Sequence, residues 1–110
     1  MQINSNVSGE FTVVQVDGRL DAETAAGFET EVSNLLDAGA SGLILDFQAL
    51  SYISSIGLRA ILTCAKRIKV ANGKLALCGL AGGVLQVIEM SGFDTFLNIF
   101  DTAEAAAEKL

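Results

Sequence analysis

The chain has 110 residues, 51% of them hydrophobic and 18% charged, with a net charge of −6 at neutral pH. That length and apolar content suit one core and exclude general disorder or two ordinary domains. The negative balance argues against nucleic acid or an anionic lipid surface as partner, and the lack of any histidine removes the commonest general base and every Ser-His arrangement, so hydrolase chemistry is not expected.

Residues 2–7 and 11–17 read as two strands of a hairpin around Ser8-Gly9-Glu10, the second apolar on both faces at Val13, Val14 and Val16. Gly18-Arg19-Leu20-Asp21 punctuates the chain before a helix, with Asp21 as the residue that starts it by accepting from the free amide of Thr24 or nearby. Ala25, Phe28, Val32, Leu35 and Leu36 then recur at three- and four-residue spacing, and Gly39 closes that helix. Residues 43–47, LILDF, are too few for a helix and lie between two of them, which predicts a buried parallel strand. Leu58, Ile61, Leu62, Ala65 and Ile68 trace the next helix, which ends near Asn72-Gly73. A strand over 74–78, a helix over 82–91 stopped by Gly92, a short strand over 96–100 and an alanine-rich helix over 102–110 complete the chain. This order predicts an α/β fold: an N-terminal hairpin followed by β-α units, a central mixed sheet with helices packed against it, and a single domain over 1–110.

Asp46, Arg59 and Gln86 interrupt the best apolar runs before any reaches the ~20 residues that span a bilayer, so no membrane insertion is expected. The start, MQINSNVSGEF, has neither a basic stretch nor an apolar h-region, and the expected location is cytoplasmic. Cys64 and Cys78 fall in separate elements and read as buried, reduced thiols. The run CGLAGG at 78–83 lacks both the Gly-x-Gly-x-x-Gly spacing and a closing Gly-Lys-Ser or Gly-Lys-Thr, so it reads as a tight strand-to-helix turn. Asp17, Asp21 and Asp46 stand near strand ends, but capping accounts for Asp21 and strand termination for Asp46; no metal and no cofactor is expected. Arg59, Lys66, Arg67, Lys69 and Lys74 gather most of the basic residues and read as a solvated helix face.

The stretch YISSIGLR at 52–59 asks for more. A helix starting near Ser55 needs one N-cap hydroxyl, from Ser54 or Ser55, and two are present. Gly57 in the first turn costs up to roughly 1 kcal/mol against alanine. A bare glycine beside an exposed hydroxyl, at the carboxyl end of a parallel strand, predicts a surface that another protein's backbone or a kinase approaches closely. A phosphate there would add about −1.5 to −2 charges beside the positive end of the helix, tolerable to the chain itself and not to a partner docked on it.

Four segments together resemble the STAS domain of bacterial anti-sigma factor antagonists over nearly the whole chain: Gly18-Arg19-Leu20-Asp21 with Thr24; LILDF through Leu50-Ser51-Tyr52-Ile53; Ser54-Ser55-Ile56-Gly57-Leu58; and Met90-Ser91-Gly92-Phe93. The resemblance implies a non-enzymatic regulator of transcription that works by partner switching. Its unmodified form would bind an anti-sigma factor with serine-kinase activity, phosphorylation at Ser55 would release it, and a phosphatase would reverse the modification. The family's well-known form has an aspartate before that serine and a second serine after it; Ser54 and Ile56 stand there in this chain, and Ser54 is a competing acceptor. Asp21, Thr24, Ser54, Ser55, Ile56, Gly57 and Arg59 are the expected partner-binding residues. The alternative is a constitutive STAS interaction subunit of a larger signalling or lipid-transport assembly, in which the two serines only cap a helix.

Overall fold

The computed structural model describes residues 1–95 and 97–110. Gly9, at φ +63°, turns β1 (Gln2–Ser8) back on β2 (Phe11–Leu20), and the two pair antiparallel from Gln2 opposite Asp17 to Ser8 opposite Phe11. After α1 (Ala25–Asp37), the run GLILD forms β3 (Gly42–Asp46), parallel to β2. A short β4 (Leu50–Ile53) leads into α2 (Ser55–Val70). Then come β5 (Lys74–Cys78), α3 (Gly82–Ser91), a 3-10 turn at Phe93–Thr95, β6 (Asn98–Phe100) and α4 (Ala103–Lys109). The sheet order is β1-β2-β3-β5-β6, with β3, β5 and β6 added in parallel and β4 paired to the far end of β2.

Strand alternation sorts the core into two layers. Val14 and Val16 of β2, Leu43 and Leu45 of β3 and Leu77 of β5 face one side, where Phe28 and Val32 of α1, Ile61 and Ile68 of α2 and Ile88 of α3 cover them. On the other side Phe11, Ile44, Ala76 and Cys78 meet Ala106 of α4. Each fully buried leucine or isoleucine contributes about 1.5–3 kcal/mol. β3 is therefore covered on both faces, as its unbroken apolar run requires. β2 is covered on both faces only near its start, since Gln15 is exposed.

Three expectations need correction. Gly18-Arg19-Leu20 is not punctuation: β2 runs on through it, with Gly18 at φ +97° and an irregularity at Gly18/Arg19 where the pairing passes to β4, a strand the sequence reading lacked. Asp21 does not start α1, which begins at Ala25 with Thr24 in the N-cap position; its expected bond from the Thr24 amide (3.3 Å) is present, but with one from Glu23 (3.0 Å) it shapes a turn ahead of the helix. The last strand is Asn98–Phe100, and its expected first residue, Phe96, lies outside the described residues.

Candidate partner-binding surface

The amino end of α2 is keyed to the carboxyl end of β2. Leu20 is fully buried, and its carbonyl accepts the Ser54 amide at 3.0 Å, which pins the end of β4 to the end of β2. Ser54 is extended (φ −98°, ψ 173°), and its Oγ accepts from the Gly57 amide at 3.1 Å, so of the two serines it is Ser54 that caps the helix. Gly57 is buried there: a Cβ would stand 2.3 Å from the Leu20 carbonyl oxygen and 2.9 Å from its carbon. This corrects the expectation that Gly57 lies bare for an approaching partner, because the backbone its missing side chain admits is the chain's own.

Ser55 is the first residue of α2; it is exposed, and its hydroxyl makes no hydrogen bond among the described residues. Beside it Ile56 is 47% exposed and Tyr52 42%. The Arg19 guanidinium stacks on the Tyr52 ring, 4.2 Å from its centroid, a contact of about 0.5–1 kcal/mol at an exposed site. Arg59, exposed, follows Ser55 by one turn on the same helix face.

Arg19 is held from behind. The single Thr24 hydroxyl proton lies between the Arg19 carbonyl at 2.9 Å and Asp21 Oδ1 at 3.2 Å, and the hydroxyl oxygen accepts from the Asp21 amide at 2.9 Å, while Arg19 Nε reaches Asp21 Oδ2 at 3.4 Å. Desolvation alone would raise the Asp21 carboxyl pKa. Hydrogen bonds from the Glu23 amide, the Thr24 hydroxyl and amide, and Arg19 outweigh it and hold the carboxyl below its ordinary value. Asp21 and Thr24 thus brace the end of β2 that presents Arg19, and adjoin the α2 tip through Leu20.

Arg19 and Tyr52 were absent from the expected site residues. Both stood in the quoted motifs, but their pairing depends on the register Arg19 opposite Tyr52 between β2 and β4, which no local pattern announces. Around Ser55 the first turn of α2 holds no acidic residue, Arg59 follows one turn on, and Arg19, already paired with Asp21, lies over Tyr52.

Elsewhere the cysteines are inert. Burial pushes the Cys64 and Cys78 thiols up to about 12, with Glu29 adding to the effect at Cys64 and Asp46 and Glu104 at Cys78. Among the described residues no helix is long and apolar enough to cross a membrane.

Comparison with known proteins agrees with this architecture. A family model described as the STAS domain matches residues 2–106. BtrV of Bordetella bronchiseptica, assigned as an anti-sigma factor antagonist, is 37% identical over 92 residues, which cover 84% of this chain and 79% of BtrV. The crystal structure of TM1081 from Thermotoga maritima, assigned likewise, superposes with a TM-score of 0.92 at 23% identity, covering 97% of this chain and 92% of its own. The anti-sigma factor antagonist SpoIIAA of Bacillus, in its unphosphorylated form, gives 0.74 at 21% identity over 97% and 94%, and its phosphorylated form has also been solved. The two structural matches speak for the fold; the matched length and the identity to BtrV speak for descent. The chain belongs to the STAS-domain family of anti-sigma factor antagonists, which are regulators and not enzymes.

Proposed function

We propose that this chain is a cytoplasmic partner-switching antagonist whose control point is Ser55. Unmodified, it binds an anti-sigma factor with serine-kinase activity and so frees the sigma factor; phosphorylation at Ser55 releases the complex, and a phosphatase restores it. The observation that carries the reading is the division of labour between the two serines. Ser54 is committed to the cap, while Ser55 stands exposed at the positive tip of α2, its hydroxyl unengaged among the described residues. The contact face is Ile56 and Tyr52 with Arg19 and Arg59 around them, braced by Asp21 and Thr24. Buried under a partner, a phosphoserine would bring about −1.5 to −2 charges against the single cation of Arg59 one turn away, since Arg19 is engaged by Asp21, and the excess would be uncompensated. Swinging occupancy from 99:1 to 1:99 takes about 5.5 kcal/mol of differential binding, and burying an uncompensated charge is of that order. That SpoIIAA exists in both phosphorylation states supports the same cycle for this fold.

A constitutive interaction subunit is the second reading, favoured by the purely internal explanations of Ser54 and Gly57. Calorimetry with the cognate anti-sigma factor separates the two. Ser55→Asp is expected to abolish binding, and Ser55→Ala to bind like the parent and accept no phosphate. Equal affinity of Ser55→Asp and the parent, or no phosphate at Ser54 or Ser55 with the kinase active, overturns the switch.

A further inference from the structure

The opposite end of α2 carries a feature that phospho-switching does not use. A groove of about 930 Å³ opens where the last turns of α2 meet β5, the start of β6 and the end of α4. Its floor is apolar: Leu62, Leu75, Leu97 and Leu110 are half-buried there. Its rim holds Lys66, Lys69, Lys74 and Lys109, all exposed, which is four of the seven basic residues of a chain with 13 acidic ones.

None of these four lysines forms an ion pair among the described residues, where the pairs are Arg19 with Asp21 and Arg67 with Asp37. Lys69 and Lys109 lie in the last turns of α2 and α4 and complement those helices' negative ends. Lys66 precedes the last turn and Lys74 belongs to β5, so helix dipoles do not account for the set. Lys74 Nζ donates to the Leu110 carbonyl oxygen at 3.4 Å, and the other three lysines have no such partner among the described residues, so an acidic chain concentrates cations free of side-chain ion pairs around half-buried leucines. That pattern is complementary to an acidic, apolar-striped partner.

The shape narrows the partner further. The groove is shallow and open, unlike the enclosed clefts that bury most of a small ligand. The sheet edge beside it, β6, has three residues, too short a template for strand addition. The groove's long wall is a face of α2, with Leu62, Ala65, Lys66 and Lys69 at i, i+3, i+4 and i+7, along which a further helix can pack.

We propose that this groove docks an acidic amphipathic helix of a second protein, with the helix's apolar stripe on the leucines and its carboxylates on the lysine rim. Lys69 lies 14 residues beyond Ser55 on a helix that rises 1.5 Å per residue, which puts the two surfaces about 21 Å apart. The groove partner and an anti-sigma factor can then be held at once. This inference does not depend on the phospho-switch.

The test is a titration of the ¹⁵N-labelled full chain with a synthetic helical peptide that carries leucines at i, i+3, i+4 and i+7 and glutamates elsewhere. Saturable shifts around Leu62, Lys69 and Leu75 are expected, with Kd at or below about 100 μM and weakening as salt is raised. Lys69→Glu/Lys74→Glu, with its thermal melt unchanged, should lose about tenfold or more, whereas Ser55→Asp should leave the affinity unchanged. Four results overturn the proposal: no saturation; equal binding of a scrambled peptide of the same composition; full affinity in the double lysine variant; or binding to mixed phosphatidylcholine–phosphatidylglycerol vesicles in place of the peptide.

Discussion

Two strand-to-helix junctions in this molecule look alike in sequence and differ in construction. At the first, β4 passes into α2 through Ser54, and three contacts fix the passage: the Ser54 hydroxyl on the Gly57 amide, the Ser54 amide on the Leu20 carbonyl, and Gly57 packed against that same carbonyl. At the second, β5 passes into α3 through Ala81, which offers no side-chain cap, and a Cβ at Gly82 or Gly83 would meet nothing within 4 Å. Both junctions hold a glycine in close approach, since a Cβ on Gly79 would stand 2.8 Å from the Gln48 amide nitrogen, but only at the first does that glycine lie inside the helix and seat it on the sheet. The surface proposed to present Ser55 to a partner would need a fixed helix tip, and the keyed junction supplies one.

Alanine scanning of the glycines is the strongest way to break this comparison. In Gly57→Ala the new Cβ would fall 2.3 Å from a backbone oxygen that cannot rotate away, so α2 must lift from β2. We expect a loss of about 3 kcal/mol or more, as for severe overpacking, and a Tm lower by roughly 10–20 °C. Gly83→Ala enters open space in a helix and should gain up to about 1 kcal/mol. Calorimetric melts check both signs. Equal melting of the two variants would mean that the junctions are built the same way.

The same pair of glycines marks how far the sequence could be read. The stripes of α1 and α2, the buried run of β3 and the glycine stops at Gly39 and Gly92 are periodic, local signals, and the corresponding elements formed. Gly57 was assigned to an open contact surface because the wall it touches, Leu20, is 37 positions away in the chain. β4 was missed for a related reason. Ser51 and Tyr52 are exposed between two buried residues, so four residues carry no alternation long enough to count, and their partner is an extension of β2 that Gly18 disguises as a turn. At the site itself, Ser54 and Ser55 were both legible as hydroxyls at a helix start. Which of them caps was decided by backbone angles that composition does not encode.

A smaller effect sharpens that last point. Ser54→Ala removes the oxygen that accepts from Gly57 and should cost about 1 kcal/mol, the usual penalty for losing a serine N-cap. The Tm should fall by roughly 4–8 °C. Phosphate transfer to Ser55 should survive, since Ser55 does not share in the cap. If Ser54→Ala melts like the parent and Ser55→Ala does not, the two serines have exchanged the roles assigned here.

The smallest expected change is also the most discriminating, because its sign differs between the free chain and the complex. Ser55→Asp places a carboxylate at the first position of a helix whose first turn holds no acidic residue, where the serine has no hydrogen-bond partner among the described residues. The partial positive charge of the helix amides favours it by about 0.3–1 kcal/mol at low ionic strength, so the isolated chain should melt slightly higher than the parent. Salt should erase that gain, because the residue is exposed and the interaction is screened. A control point of this kind requires the modified chain to remain folded while only its complex fails. A Ser55→Asp variant that melts several degrees lower would place the loss of binding in the fold itself, and the surface would no longer be a switch.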